Sequence, residues 1–306
     1  MYQIDACPCC ESKELQRWPA IVSPFIATYA CGSKPQPCGL CECRSCTFRF
    51  FDSRMTDEEI ARLYAGYRGD EYYKARHTYE PWYTHAANDG IGGDTHEIAS
   101  RKQNLTAVLG DHAKSITTVL DYGGDRGQMI PDTLGRERFV YEISDAPTVD
   151  GVQRITQVDG RKFDFVMLAH VLEHCSEPKD MLNTLKPLLH ERSLLYLEVP
   201  FERPTMGLAG AGSLQRNYLD MLLGMGPLLK IVDFYSTVAR VKFNTIPPLG
   251  LQKCSEHLNF FTPASLKALL ERNGLELIEA ETAACASKGP VQRILYALAR
   301  PLANSQ

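Results

Sequence analysis

From residue 98 onward the chain alternates short, continuously apolar runs with stretches whose apolar residues recur every three or four positions. "ITTVLDYG", "RFVYEIS", "KFDFVMLAH" and "SLLYLEVP" are the apolar runs. Between the last two, "SEPKDMLNTLKPLLHE" carries Met181, Leu182, Leu185, Leu188 and Leu189 at helical spacing. Apolar strands separated by amphipathic helices predict a parallel sheet covered on both faces. Further along, "TPASLKALLERNGLELIEAE" starts with Thr262 as a cap and Pro263 at the first helical position, and Gly274 stops the helix before a strand. "RILYALARP" predicts a last strand.

The first hundred residues are patterned differently. "TDEEIARLYAGY" reads as a helix, with Thr56 and Glu59 as a capping box and Ile60, Leu63, Tyr64 and Tyr67 on one face. A polar, aromatic stretch, "RGDEYYKARHTYEPWYTHAANDG", then runs to a glycine-rich turn at Gly90 to Gly93. Residues 1 to about 50 are rich in Cys, Pro and Gly and too short to hold a core unaided. The pattern divides the chain into a cysteine module (1–55), a helical bridge or cap (56–97) and an α/β domain (98–306). Within that domain, residues 201–252 are an insertion expected to form the acceptor pocket or a lid.

Asp220, Lys230 and Asp233 interrupt the apolar stretch "LDMLLGMGPLLKIVDFYSTVARV", whose uncharged part falls short of the ~20 residues a membrane span needs. A buried or lid-forming helix is the first expectation; peripheral contact with a membrane surface or a lipid-linked substrate is the other.

Composition narrows the function classes. The 306 residues are 44% hydrophobic and 23% charged, as in a soluble globular protein, and the formal net charge of -4 argues against a nucleic-acid footprint over the whole chain. The opening residues, "MYQIDACPCCESKELQ", do not build a signal peptide, so a cytoplasmic location is expected. Eight of the eleven cysteines (Cys7, Cys9, Cys10, Cys31, Cys38, Cys41, Cys43 and Cys46) lie in the first 46 residues. With nothing sending the chain to an oxidising compartment, metal binding accounts for them better than disulfides. Cys7 and Cys10 form one C-x-x-C pair and Cys43 and Cys46 another, the four thiolates of a structural zinc site with no position open for catalysis. Cys38-x-x-Cys41 competes; the Cys43 pair is preferred because "TFRFFD" follows it as a strand leaving a ribbon knuckle.

The first strand of the α/β domain ends "LDYGGDRG", read as Asp121-x-Gly123-x-x-x-Gly127. A dinucleotide fingerprint would be G-x-G-x-x-G, aimed at a pyrophosphate. The negative charges of Asp121 and Asp125 would repel a pyrophosphate, and they suit a ligand with an ammonium group and a sulfonium centre. Glu142, 21 residues after Asp121 at the end of the second strand, is placed to accept both hydroxyls of a ribose. Ribose plus a cationic amino acid describes S-adenosylmethionine.

Together, Asp121-x-Gly123-x-x-x-Gly127, Glu142, "FDFVMLAHVLEH" and "EHLNFFTPASLKALLERNGLELIEAE" resemble the class I S-adenosylmethionine-dependent methyltransferases, closest to the subgroup with a "VLEH" segment. The resemblance covers roughly residues 115 to 300. It implies a Rossmann-like α/β fold with a seven-stranded sheet and helices on both faces. It also implies that Asp121, Gly123 and Gly127 line the methionyl moiety, with Glu142 on the ribose and the backbone around Ala169 and His170 near the transferred methyl. The chain departs from the family at Asp125, where a glycine is usual; a carboxylate there either crowds the methionine end or helps hold its ammonium. Similar amino-terminal cysteine modules precede the methyltransferase domain in bacterial sugar C-methyltransferases, although those often carry a further carboxyl-terminal domain that this chain lacks room for.

Methyl transfer needs an oriented acceptor and, for a hydroxyl or acidic carbon, a base. In the sugar C-methyltransferases a Glu-His pair is the proposed base, and Glu256 and His257 would be its counterpart; a helix-capping histidine is the alternative. His170 is a further candidate, whereas Glu173 and His174 are expected to fasten strand to helix. Tyr72, Arg76 and Trp82 are expected either to close over the ligands or to pack between domains. The function expected is methylation, at carbon or oxygen, of a small molecule such as a sugar nucleotide or glycan. Competing readings are an RNA methyltransferase gripping RNA with its zinc module, a zinc-bearing interaction protein without catalysis and, weakest, an NAD-dependent oxidoreductase.

Overall fold

The computed structural model describes residues 1–67, 69–142, 146–158, 160–204, 213–243, 245–289 and 291–302. Along the chain come β1 (Tyr2–Gln3), β2 (Leu15–Val22), β3 (Pro37–Cys43), β4 (Arg49–Phe51) and β5 (Ser53–Arg54), then α1 (Asp57–Tyr64), α2 (Asp70–Tyr79) and α3 (His85–Gly90). Next are α4 (Thr95–Leu109), β6 (Thr118–Tyr122), β7 (Glu137–Tyr141), β8 (Gln153–Ile155), β9 (Phe163–Ala169), α5 (Pro178–Leu185) and β10 (Leu189–Pro200). The last are α6 (Ser213–Gly224), α7 (Gly226–Phe243), β11 (Lys253–Cys254), β12 (Asn259–Phe260), α8 (Pro263–Arg272), β13 (Leu275–Cys285) and β14 (Gln292–Pro301). Contacts group them into two compact units. One holds Met1–Cys7, Glu11–Ile91 and Arg203–Phe260; the other holds Pro8–Cys10, Gly92–Glu202 and the chain from Phe261.

The second unit is an α/β fold on a mixed seven-stranded sheet in the order β13-β14-β10-β9-β6-β7-β8, flanked by helices. The five strands from β10 to β8 run parallel, and β14 is antiparallel to both β10 and β13. Val119, Val140, Phe165, Met167, Tyr196 and Leu298 bring these strands into one core. Each such fully buried side chain contributes roughly 1.5–3 kcal/mol. The chain runs outward from β6 through β7 to β8 and then returns to place β9 on the other side of β6. That reversal opens a crevice at the carboxyl end of β6.

One local difference from the sequence pattern has a physical cause. Pro187 has no amide to donate, so the helix begun at Pro178 stops at Leu185; Lys186–Leu188 forms a tighter turn and Leu189 already starts β10. β7 ends at Tyr141, and the last residues of "RFVYEIS" lie outside the described residues. At α8, Thr262 accepts from the Ser265 amide and Leu266, Leu269 and Leu270 are buried, as the pattern requires.

In the first unit a five-stranded sheet runs β11-β2-β3-β4-β12. The amino-terminal residues do not build its core by themselves. Val22, Phe25, Ile26, Leu40 and Phe51 pack with Leu63 of α1, Tyr72 of α2, and Cys254, Leu258 and Phe260 from far along the chain. α1 starts with the Thr56–Glu59 capping box, both hydrogen bonds present. The apolar stretch after residue 218 folds as parts of α6 and α7, broken at Met225. Among the described residues, no helix is long and apolar enough to cross a membrane.

Candidate functional site

The carboxyl end of β6 holds a carboxylate in an unusual position. Val119 and Leu120 are buried in the sheet and Asp121 follows them with no exposed surface. Neither carboxylate oxygen of Asp121 has a hydrogen-bond partner among the described residues. Burial pushes its pKa up to about 7; Arg101 pulls it down, while Glu198, Glu142 and Asp125 push it further up.

The turn over Asp121 is shaped by missing side chains. A Cβ at Gly124 would stand 2.1 Å from the Asp121 carboxyl carbon, one at Gly123 would meet Val171 at 2.8 Å, and one at Gly127 would meet Val152 at 2.6 Å. Gly123 and Gly127 also adopt φ of 76° and 73°, where a side chain is strained. Asp125 takes φ 55° without being a glycine. Its amide donates to Glu142 Oε2 at 3.0 Å, and its Oδ2 accepts from Gln128 Nε2 at 3.3 Å. Glu142 follows directly on β7, and its carbonyl accepts from Arg154 of β8 at 3.4 Å. Asp121, Gly123, Asp125, Gly127 and Glu142 are therefore assembled on neighbouring strand ends.

β9 delivers Ala169 and His170 beside them. Ala169 pairs in register with Glu198 of β10, and His170 leaves the strand at φ 58°, its amide donating to the Glu198 carbonyl at 2.8 Å. The imidazole is one third exposed, with Nε2 3.5 Å from Glu198 Oε1 and Nδ1 3.9 Å from Glu173 Oε1. Glu198 is buried, and it accepts from Arg101 Nε of α4 at 2.7 Å and from the Tyr196 hydroxyl at 2.8 Å. Burial opposes the charge on Arg101, but Glu198 outweighs it and raises the pKa. Leu172–His174, within "VLEH", forms a single tight turn; Glu173 is buried there, 3.8 Å from His174 Nε2. Sequence reasoning missed Arg101, Tyr196 and Glu198. The available signal was a lone acid inside the otherwise apolar "LLYLEVP".

Glu256 and His257 belong to the first unit, between β11 and β12. Glu256 Oε1 accepts from both the Tyr72 hydroxyl and Arg76 Nη1, the latter at 3.0 Å. Arg76 also holds Glu80 at 2.9 Å and lies over the Tyr83 ring. His257, next in sequence, is half-buried. Trp82 sits under Lys253 Nζ, which bonds Glu80 at 2.6 Å and Asp233 at 3.1 Å.

The cysteine pairs fold as two matching knuckles. The Cys7 carbonyl accepts the Glu11 amide at 2.8 Å and the Cys43 carbonyl accepts the Thr47 amide at 2.9 Å. Glu11 and Thr47, in equivalent places, have φ of 60° and 59°. The sulfurs of Cys7, Cys10, Cys43 and Cys46 all lie within 4.8 Å of one another, those of Cys7 and Cys46 being 3.5 Å apart. Thiolates at zinc–sulfur distances of about 2.3 Å on a tetrahedron stand roughly 3.8 Å apart, so the donor set fits zinc. Cys38 and Cys41 instead lie three apart on the extended β3, where side chains of that spacing point to opposite faces.

The first unit also contains a cavity of about 650 Å³ whose lining includes Arg17, Trp18, Asp52, Arg216 and Asp220. Asp52 accepts the Gly39 amide at 2.7 Å and pairs with Arg17 at 3.3 Å. Arg216 has no ion-pair partner among the described residues.

A profile of the family described as "Methyltransferase domain" matches residues 94–280. No curated protein matches the chain. Among solved structures, a putative methyltransferase of Bacillus halodurans C-125 aligns at 11% identity and TM-score 0.41, over 66% of this chain and 99% of that one. Magnesium protoporphyrin IX methyltransferase of Synechocystis PCC 6803, with bound SAM, aligns at 16% identity and TM-score 0.42, over 80% and 98%. An N-methyltransferase of Bradyrhizobium japonicum WM9, in complex with S-adenosyl-l-homocysteine, aligns at 12% identity and TM-score 0.40, over 69% and 90%.

Proposed function

The chain belongs to the methyltransferase-domain family, and on that premise we propose that it methylates a small-molecule acceptor, a sugar nucleotide or glycan, using S-adenosylmethionine. The observation that carries the cofactor reading is Asp121: a buried carboxylate with no hydrogen-bond partner among the described residues, under a turn that added Cβ atoms would fill. A buried charge of this kind favours a cationic ligand nearby, and the turn leaves the backbone open to close approach.

When bound, S-adenosylmethionine supplies a methyl carbon already activated by its sulfonium sulfur. Asp121, Gly123, Asp125 and Gly127 would hold its methionyl end. Glu142 would take the ribose hydroxyls: one oxygen accepts the Asp125 amide, and a carboxylate has further lone pairs to offer. The Ala169 backbone would line the methyl side. His170, beside Glu198, and His257 are the candidate bases for the acceptor proton. Glu256 is already occupied by Tyr72 and Arg76, which leaves it a weaker candidate than His257 for taking the proton.

Zinc bound by Cys7, Cys10, Cys43 and Cys46 would be structural, since four thiolates close its coordination. A reducing, cytoplasmic setting agrees with the thiols.

Calorimetric titration of the zinc-loaded protein with S-adenosylhomocysteine, with NAD as control, tests the reading. Heat with S-adenosylhomocysteine alone supports it and justifies assaying sugar nucleotides against His170→Ala and His257→Ala. Heat with NAD alone refutes it.

A further inference from the structure

Arg154 stands on the same face of the sheet as Asp121. Asp121 pairs in register with Val140, and Val140 with Arg154, so the three side chains share one face across β6, β7 and β8. Val140 is buried and Arg154 half-buried. The guanidinium of Arg154 turns its donors on backbone. Nη1 donates to the Glu142 carbonyl at 3.4 Å, and Nη2 to the carbonyls of Asp125, at 3.5 Å, and of Ala146. Arginine can do this because its donors are fixed in a planar fork that reaches several acceptors at once.

Those carbonyls belong to the rim of the turn after β6. Among the described residues between β7 and β8 there is no helix, although parallel strands are ordinarily joined through one. The segment is instead bonded sideways to the turn. The Val149 amide donates to the Arg126 carbonyl at 3.0 Å, Arg126 Nε donates to the Pro147 carbonyl at 3.0 Å, and Val152 fills the space beside Gly127. Arg154 adds the bonds nearest the candidate ligand residues. The Asp125 amide donates to Glu142 Oε2 at 3.0 Å, the Asp125 carbonyl accepts from Arg154, and Arg154 in turn holds the Glu142 carbonyl. The three residues close a ring of hydrogen bonds, and its strained member is Asp125, at φ 55°.

We propose that Arg154 is a positioning residue for S-adenosylmethionine: by holding the Asp125 and Glu142 carbonyls it keeps the Glu142 carboxylate in place for the ribose. The proposal rests on the reading of this turn as the cofactor site. Arg154 acts through the backbone of its two partners and not on the transferred methyl. Its role and the identity of residue 125 depend on each other. An aspartate at φ 55° has to be held there from both sides of its peptide, by Glu142 at the amide and by Arg154 at the carbonyl. A glycine would adopt the same φ unaided, and the arginine would then be dispensable.

Calorimetric titration with S-adenosylhomocysteine of the wild type, Arg154→Met, Asp125→Gly and the double variant tests this. Arg154→Met should weaken binding on the order of tenfold or more, the worth of hydrogen bonds from a charged donor. In the Asp125→Gly background the same substitution should cost about threefold or less, because residues that act as one unit are not additive. Arg154→Lys, which keeps the charge but not the fork, should fall between wild type and Arg154→Met, and it takes the place of Arg154→Met in the cycle should that variant not fold. In the ligand-free protein, hydrogen exchange at the Asp125 amide should quicken in Arg154→Met, a local effect that a loss of global stability would not confine to this amide. Equal affinity of wild type and Arg154→Met, a loss at least as large in the Asp125→Gly background, or unchanged exchange at Asp125 overturns the proposal and leaves the cofactor reading standing. A wild type that binds no S-adenosylhomocysteine refutes the cofactor reading, and the proposal with it.

Discussion

Glu142 and Asp125 are joined across two strand ends: Glu142 Oε2 accepts the Asp125 amide at 3.0 Å, and the residue so held sits at φ 55°. A non-glycine residue pays on the order of 1 kcal/mol for that conformation, and the charged acceptor offsets it. Glu142→Ala should therefore weaken S-adenosylhomocysteine binding by roughly tenfold to a hundredfold, the worth of a charge-assisted hydrogen bond. Glu142→Gln, which still offers the amide an acceptor, should lose less. Calorimetry on the three proteins decides, and equal affinities would remove Glu142 from the site.

Asp121 should make stability depend on pH. Its native pKa of about 7 stands above the ordinary 3.8, so between these values the folded chain keeps a proton that the unfolded chain releases. Stability contributed by this group is then full below the lower value and is lost as pH rises through the upper one. Asp121→Asn should remove that slope, matching the wild type at about pH 4 and exceeding it by about 2–4 kcal/mol at about pH 8. Urea unfolding at the two pH values measures this. Because an ammonium ligand prefers the ionised carboxylate, S-adenosylhomocysteine affinity should rise with pH through the same window in the wild type only.

Arg101 and Glu198 are both buried, and removing one leaves the other without its charge partner. Arg101→Met should cost about 3–5 kcal/mol. Adding Glu198→Leu should recover much of the loss, since the double variant buries no lone charge. If the two single losses simply add in denaturant unfolding, the pair is not coupled.

Zinc should co-purify with the protein, be lost from Cys43→Ser and persist in Cys38→Ser. Elemental analysis reads the metal directly. Stripping it with a strong chelator should lower the melting temperature, because binding energy in such a site is folding energy. Retention of zinc in Cys43→Ser would move the ligand set towards the other thiols.

What the sequence reveals of the fold is what repeats locally. β6, β7, β9 and β10 announce themselves as apolar runs, and the two C-x-x-C knuckles are each complete within five residues, from Cys7 to Glu11 and from Cys43 to Thr47. β8 does not: it is three residues long, carries Arg154, and is a strand because Val140 and Tyr141 offer it partners. β11 and β12, at two residues each, have no period to read. The Arg101–Glu198 pair spans 97 residues, and α4 meets β10 only after the sheet exists. At the candidate site, Asp121 and Glu142 could be picked out by spacing after a strand. Gly124 was passed over because its role comes from the Asp121 side chain folding back beneath it, which no spacing rule encodes.

The five-stranded sheet carries a consequence for biosynthesis. Arg54 and its partner Asn259 are 205 residues apart, and β11 and β12 flank the sheet on its two sides. As the chain leaves the ribosome, the two knuckles can come together once residue 46 has emerged, but β2 and β4 must wait with open edges while strands β6 to β10 of the other sheet are made. Unpaired edges are what nascent chains aggregate through. A polypeptide released before residue 260 would thus keep its paired cysteine knuckles and the parallel core of its other sheet, yet remain a substrate for chaperones and proteases.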